Sequence, residues 1–207
     1  MALKFEEQYY NDKTKIIVGV DEAGRGCLLG PVVAAAVILP PHFYHDLIND
    51  SKKLSEKKRE EAYKIIIENA LSYGVGIIEP DIIDKINILE ATKLAMKKAI
   101  EALNIDYDLI LIDAVNLKNT KAPVIPLIKG DAKAECIAAA SIIAKVTRDH
   151  ICYDLDKKYP EYNIKHNKGY GTKDHLEALA KFGPIKGLHR YSYAPVRNCL
   201  IKKITLF

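Results

Sequence analysis

Residues 16–31 read Ile-Ile-Val-Gly-Val-Asp-Glu-Ala-Gly-Arg-Gly-Cys-Leu-Leu-Gly-Pro. Ile16, Ile17, Val18 and Val20 form a short apolar run of the kind buried on both faces of a sheet. Two carboxylates follow at once, Asp21 and Glu22, and then a glycine-flanked arginine, Gly24-Arg25-Gly26. Charged residues seldom stand against a core strand unless they are paired or bind a metal. Glycines on either side of Arg25 let the backbone approach a ligand closely and take positive φ. Acid ligands, a permissive backbone and a cation in such close succession indicate a phosphate-handling site. Taken alone, the Asp-Glu pair also suits a solvated turn or a helix cap. A dinucleotide-binding loop is excluded, because Gly30 falls one position late for G-x-G-x-x-G after Gly24 and Gly26. Val32 to Leu39 moreover reads as a strand where that loop should open a helix, and two uncompensated carboxylates would repel a pyrophosphate.

Outward from this stretch, 207 residues suit one domain with at most a small appendage, long enough to bury a substantial core. The net charge of +4 permits a polyanionic partner without establishing one. Cys27, Cys136, Cys152 and Cys199 form no C-x-x-C pair and no zinc spacing, so reduced thiols in a cytoplasmic protein are expected. No apolar run approaches a membrane span, and no signal peptide is read before Phe5-Glu6-Glu7; no membrane association is expected.

Lys15 to Val20 and Val32 to Leu39 read as neighbouring strands. Ser55 is a plausible N-cap for a helix over about Glu56 to Ser72, with Ala62, Ile65, Ile66 and Ala70 on its apolar face. Lys52, Lys53, Lys57, Lys58 and Arg59 crowd its entrance; a solvated face explains most such runs, but cations at a helix start oppose the dipole, which leaves room for an anionic partner. Tyr73 to Ile78 is a third strand, and Asn87 opens a capped helix to about Leu103. Asp108 to Ile112 is a buried strand delivering Asp113, and Val124 to Ile128 is a last short strand before Lys129-Gly130-Asp131. Ala132 to Tyr159 is the strongest helix, Lys173 to Phe182 another, and Gly187 to Asn198 reads as a basic loop. This order predicts a mixed α/β sheet with helices on both faces. Ligands gather at strand carboxyl ends in such sheets, which makes Asp21, Asp113 and Asp131 candidates to converge.

The chain resembles ribonuclease HII, the type 2 ribonuclease H family, over roughly Ile16 to Arg197. The resemblance rests on Gly-Val-Asp-Glu-Ala-Gly-Arg-Gly at 19–26, Asp-Ser-Lys-Lys-Leu-Ser at 50–55, Ile-Asp at 112–113 and Lys-Gly-Asp at 129–131. It continues through Ala-Ala-Ser-Ile-Ile-Ala-Lys-Val-Thr-Arg-Asp at 139–149, His166 to Thr172, His189-Arg190, and Ser192 to Val196. Two departures stand out. Cys27 occupies the position where the family usually has proline, and Asn167 is an extra residue after His166.

The resemblance implies a ribonuclease-H-like five-stranded mixed sheet flanked by helices. It implies a catalytic unit over residues 1–160 and a small C-terminal helical extension, 161–207, completing the substrate cleft. It implies an endonuclease that cuts the RNA strand of RNA/DNA hybrids and cuts 5′ to single ribonucleotides in duplex DNA, acting as a monomer. Asp21, Glu22, Asp113 and Asp131 would hold two Mg²⁺ or Mn²⁺ ions, which suits oxygen-only ligands and relieves the mutual repulsion of four carboxylates. Two such ions would clamp the scissile phosphate and leave 5′-phosphate and 3′-hydroxyl ends. Gly24, Arg25 and Gly26 would read the ribose 2′-hydroxyl, with Tyr170 packed on the sugar. Ser51, Lys52 and Lys53 would contact backbone phosphates. Lys145, Arg148 and Asp149 read either as helix-surface pairs or as phosphate contacts, and His166, His175 and His189 as structural or surface residues. The sister type, ribonuclease HIII, is disfavoured by Arg25 and by the short stretch before Ile16. A non-catalytic nucleic-acid-binding module leaves four acids at strand ends unexplained.

Overall fold

Strand β1 (Ile17–Ala23) runs through the middle of a five-stranded sheet ordered β3-β2-β1-β4-β5. The computed structural model describes residues 5–10, 15–49 and 51–204, with side chains described as far as residue 201. β2 (Val32–Ile38) and β3 (Ser72–Ile78) are antiparallel to their neighbours, whereas β4 (Leu109–Asp113) and β5 (Val124–Leu127) continue the sheet in parallel. The expected mixed sheet is present. Helices α1 (Glu56–Asn69), α2 (Pro80–Glu101) and α3 (Glu135–Lys158) cover its faces. Among the described residues no helix is long and apolar enough to cross a membrane.

Strand parity decides which face each residue serves. Val18, Val20, Ile110 and Ile112 bury against Ala91, Ala95, Met96 and Ala99 of α2. Ile17, Leu109 and Leu111 point the other way, into a cluster with Cys136 and Ile137 of α3. Gly19 shares that second face, where α3 comes so close that a Cβ would sit 2.1 Å from the Cys136 carbonyl carbon. The alanines and isoleucines of α3 (Ala138, Ile142, Ile143) pack with Ala35 and Val37 of β2 and with Ala62 and Ile66 of α1.

Several boundaries differ from the sequence reading. The long helix begins at Glu135, after a 3₁₀ turn over Gly130–Ala132. Asn87 does cap a helix, its Oδ1 accepting from Leu89 N and Glu90 N at 2.9 and 3.1 Å. A helical turn opened by Pro80 precedes it, and Asn87 at φ 67° makes the kink between the two. Ser55 caps α1 as expected, accepting from Lys58 N. The segment read as a basic loop over 187–198 turns helical at Ala194, beginning α6 (Ala194–Ile204). Pro195 at the start of that helix gives no obstacle, since a first-turn N–H is unpaired in any case. Between α3 and α6 lie α4 (Ile164–Asn167) and α5 (Lys173–Phe182). Near the start of the chain, a 3₁₀ turn over Phe5–Tyr9 docks on the head of α3: Phe5 N donates to Lys133 O, and Glu6 accepts from Cys136 N.

Candidate active site

Parallel register places the two central acids side by side. Val20 stands opposite Ile112, so Asp21 and Asp113 leave adjacent strands at the same level, on the face that carries α3. A cleft of about 250 Å³ opens there, lined by Asp21, Glu22, Gly24, Arg25, Gly26, Ser51, Lys52, Asp113 and Tyr170 among others. The backbone fixes both aspartates: Glu22 N donates to Asp21 Oδ1 and Gly130 N to Asp113 Oδ1, each at 2.7 Å. Gly130 opens the 3₁₀ turn that carries Asp131, so the same bond ties the third acid to the second. Asp131 is buried and meets Lys52 Nζ at 3.2 Å from its Oδ2, just outside the cleft lining.

The electrostatics of the acids are those of a crowded anionic pocket. Burial, then the charges of Glu22 and Asp113, raise the Asp21 carboxyl well above the usual carboxylate range. Glu22 is also raised by burial, against the opposing pull of Arg25, whose Nη1 lies 3.2 Å from its Oε1. Asp113 is raised by burial despite the Gly130 bond. The second oxygen of Glu22 is buried with no hydrogen-bond partner among the described residues. Carboxylate-only donors, an orphaned oxygen and raised proton affinities fit a hard divalent cation. The side chains are not drawn together into a finished cage: among the described residues no three His, Cys, Asp or Glu groups stand in ligating arrangement.

The remaining residues singled out from sequence divide. Gly24, Arg25 and Gly26 turn across the cleft mouth, and Tyr170, 44% exposed, lies beside Gly26. Lys52 lines the cleft, whereas Lys53 is exposed and does not; Asp50, at the start of their motif, lies outside the described residues. Ser51 is buried, its hydroxyl 2.9 Å from that of Ser141 and its carbonyl accepting from Arg59. It ties the Lys52 loop to α3 while still lining the cleft. Arg59, Ser141 and Lys145 also line the cleft. Their signals were present in the basic run at 52–59 and in the polar positions 141 and 145, four apart in an apolar helix and hence on one face.

Arg148 belongs neither to a surface pair nor to the cleft lining: it is fully buried and donates to three backbone carbonyls. Asp149 is buried against Lys145. His175 and His189 are buried, their Nε2 atoms 3.2 Å apart, consistent with structural roles. The extra residue Asn167 is structural as well, since its side chain joins Tyr162 O to Gly169 N and so shapes the loop that carries Tyr170.

The family model for Ribonuclease HII matches residues 18–196. A ribonuclease HII from Ligilactobacillus salivarius is 52% identical over 200 residues, 97% of this chain and 78% of that protein. Among solved structures, the ribonuclease H2 from Pyrococcus horikoshii OT3 superposes with a TM-score of 0.77 at 28% identity, over 90% of this chain and 97% of that one. An RNase HIII structure described as a complex with Mn²⁺ shares the fold, with a TM-score of 0.73 at 18% identity over 91% of this chain and 70% of that one. With paired aspartates level on two parallel strands and matches across nearly the whole chain, the protein belongs to the ribonuclease HII family and is a metal-dependent ribonuclease H.

Proposed function

We propose that this protein cleaves the RNA strand of RNA/DNA hybrids and cuts 5′ to single ribonucleotides in duplex DNA, leaving 5′-phosphate and 3′-hydroxyl ends. The observation that carries the reading is the presence, in one cleft, of Asp21, Glu22 and Asp113 beside the Gly24–Gly26 turn and Tyr170. Asp21, Glu22, Asp113 and Asp131 would hold two Mg²⁺ or Mn²⁺ ions, a choice in keeping with their oxygen-only donor set. Such a pair would supply polarisation of the scissile phosphate and a lowered pKa for water at the site.

The protein's own groups do the rest. The amides of Glu22 and Gly130 fix one oxygen each of Asp21 and Asp113, and closing the acids around a cation is left to the remaining carboxylate oxygens. The Gly24–Gly26 backbone reads the 2′-hydroxyl and holds the adjacent phosphate, while Tyr170 packs on the sugar. A site built to bond a hydroxyl rejects the analogue lacking it by about 10⁴-fold. Ser51, Lys52 and Lys53 contact flanking phosphates. Residues 1–160 form the catalytic unit and 161–207 an extension that brings Tyr170 to the cleft. The protein acts as a monomer in the cytoplasm, where its free thiols stay reduced.

The test is cleavage of a duplex bearing one ribonucleotide, with Mg²⁺ or Mn²⁺, by the wild type and Asp21→Asn. The wild type should nick 5′ to the ribonucleotide, and Asp21→Asn should lose nearly all cleavage while still binding the hybrid. Undiminished cleavage by Asp21→Asn refutes the catalytic assignment.

A further inference from the structure

Arg148 and Arg190 are the largest side chains withdrawn from solvent, 1% and 0% exposed. Neither is ion-paired to a carboxylate among the described residues; their donors go almost entirely to backbone carbonyls. Arg148 donates to Pro31 O, Leu29 O and Lys168 O at 3.1, 3.0 and 2.7 Å. Arg190 donates twice to Gly30 O, at 3.1 and 2.9 Å, and through Nη1 to Arg25 O at 2.9 Å and to the Tyr193 hydroxyl at 3.0 Å. A buried guanidinium without a counter-ion is tolerated only when such bonds replace its water. Here they gather the loop 25–31 around two fixed cations. Arg148 also joins that loop to the one bearing Tyr170, where Gly169 O accepts from Leu28 N and Leu29 N.

One of these bonds bears on the ribose directly. Arg25 O accepts from Arg190 Nη1 and, at 2.6 Å, from the Tyr193 hydroxyl, so it is drawn inward. In a planar trans peptide the C=O and the following N–H point in opposite directions. The Gly26 N–H is therefore turned outward; Gly26 is exposed, lines the cleft, and its N–H meets no acceptor among the described residues. We propose that Arg190 and Tyr193 are positioning residues for ribonucleotide recognition, holding the Arg25–Gly26 peptide so that the Gly26 N–H stands as a fixed donor to the ribose 2′-oxygen. This rests on the 2′-hydroxyl-reading role given above to residues 24–26. Tyr193 reaches the site from just before α6, so the C-terminal segment serves the selectivity of a turn about 170 residues earlier in the chain.

The test measures Kd for a duplex with one ribonucleotide and for the same all-DNA duplex, using protein carrying Asp21→Asn to prevent cleavage. Tyr193→Phe, which keeps the ring and removes the hydroxyl, should reduce the ribo/deoxy affinity ratio by about tenfold, as expected for one lost well-aligned bond. Its all-DNA Kd and melting temperature should stay at the parent values. Arg190→Lys, a point charge unable to span Gly30 O and Arg25 O, should reduce the ratio further. If Arg190→Lys does not fold, Tyr193→Phe decides alone. A parent-like ratio in Tyr193→Phe, or equal weakening on both duplexes, overturns the positioning role. A parent protein that binds both duplexes equally overturns the underlying ribose-reading assignment instead.

Discussion

Replacing Gly19 by alanine tests whether the close approach of β1 to α3 sets the geometry of the acids. The added methyl would lie 2.1 Å from the Cys136 carbonyl carbon and 2.5 Å from Ile137 N. These are backbone atoms of a helix packed along most of its length, so no side chain can swing aside. Restoring ordinary contact requires strand and helix to part by about 1.3 Å. Overpacking of this kind costs about 1–3 kcal/mol. For a chain of this size each kcal/mol lowers Tm by about 2–4 °C, giving an expected fall of roughly 2–12 °C. Asp21 lies two residues along the same strand face, and Ser141 lies five beyond Cys136 in the opposing helix. A misplacement of about 1 Å at such a site lowers the rate by about 10²-fold. The assay pairs thermal melting with kcat on a hybrid substrate. Gly26→Ala supplies the contrast, because its methyl meets nothing nearer than Tyr170 Cε1 at 3.9 Å. That variant should melt within about 1 °C of the wild type, yet cut poorly because the methyl stands in the path of the sugar. If Gly19→Ala melts and cuts like the wild type, the close-approach argument fails.

Burial pushes the Glu135 carboxyl up to about 8, so between pH 4.5 and 8 the folded protein holds a proton that the unfolded chain has released. Stability therefore falls as pH rises through that window. Glu135→Gln cannot ionise, and its Tm relative to the wild type should climb from pH 5 to pH 8, by about 2–4 °C per kcal/mol relieved, then level off; parallel melting curves across the window would contradict this. Lys52→Ala should weaken binding of RNA/DNA hybrids of every sequence alike, and lower the slope of log K against log salt by about 1; an unchanged slope removes Lys52 from the phosphate contacts. Tyr170→Ala should lose more activity on single-ribonucleotide duplexes than on long hybrids, with competition kinetics on the two substrates as the measurement; equal losses argue against its packing on the sugar as a source of selectivity.

The sequence alone determined the sheet and the chemistry of its central edge. The apolar runs at 17–20, 32–38 and 109–112 have few alternatives to burial, and their patterning is local. Capping is local too, which is why Ser55 and Asn87 were legible. The acids at strand ends stood out because a carboxylate against a core strand demands a reason. Tertiary structure alone decided how the pieces meet. Parallel register put Asp21 beside Asp113 although 92 residues separate them in the chain, a relation fixed by hydrogen bonds between strands. Contacts to distant backbone likewise made buried clamps of Arg148, which the sequence left as a helix-surface pair or a phosphate contact, and of Arg190, in a segment read as a basic loop, because their acceptors are carbonyls, which carry no side-chain signature. Ser51 and Ser141, 90 positions apart, reach hydrogen-bond distance only through the fold. Residue types announce which chemistry is available, whereas the partner each polar group finds depends on which distant backbone folding brings within 3 Å.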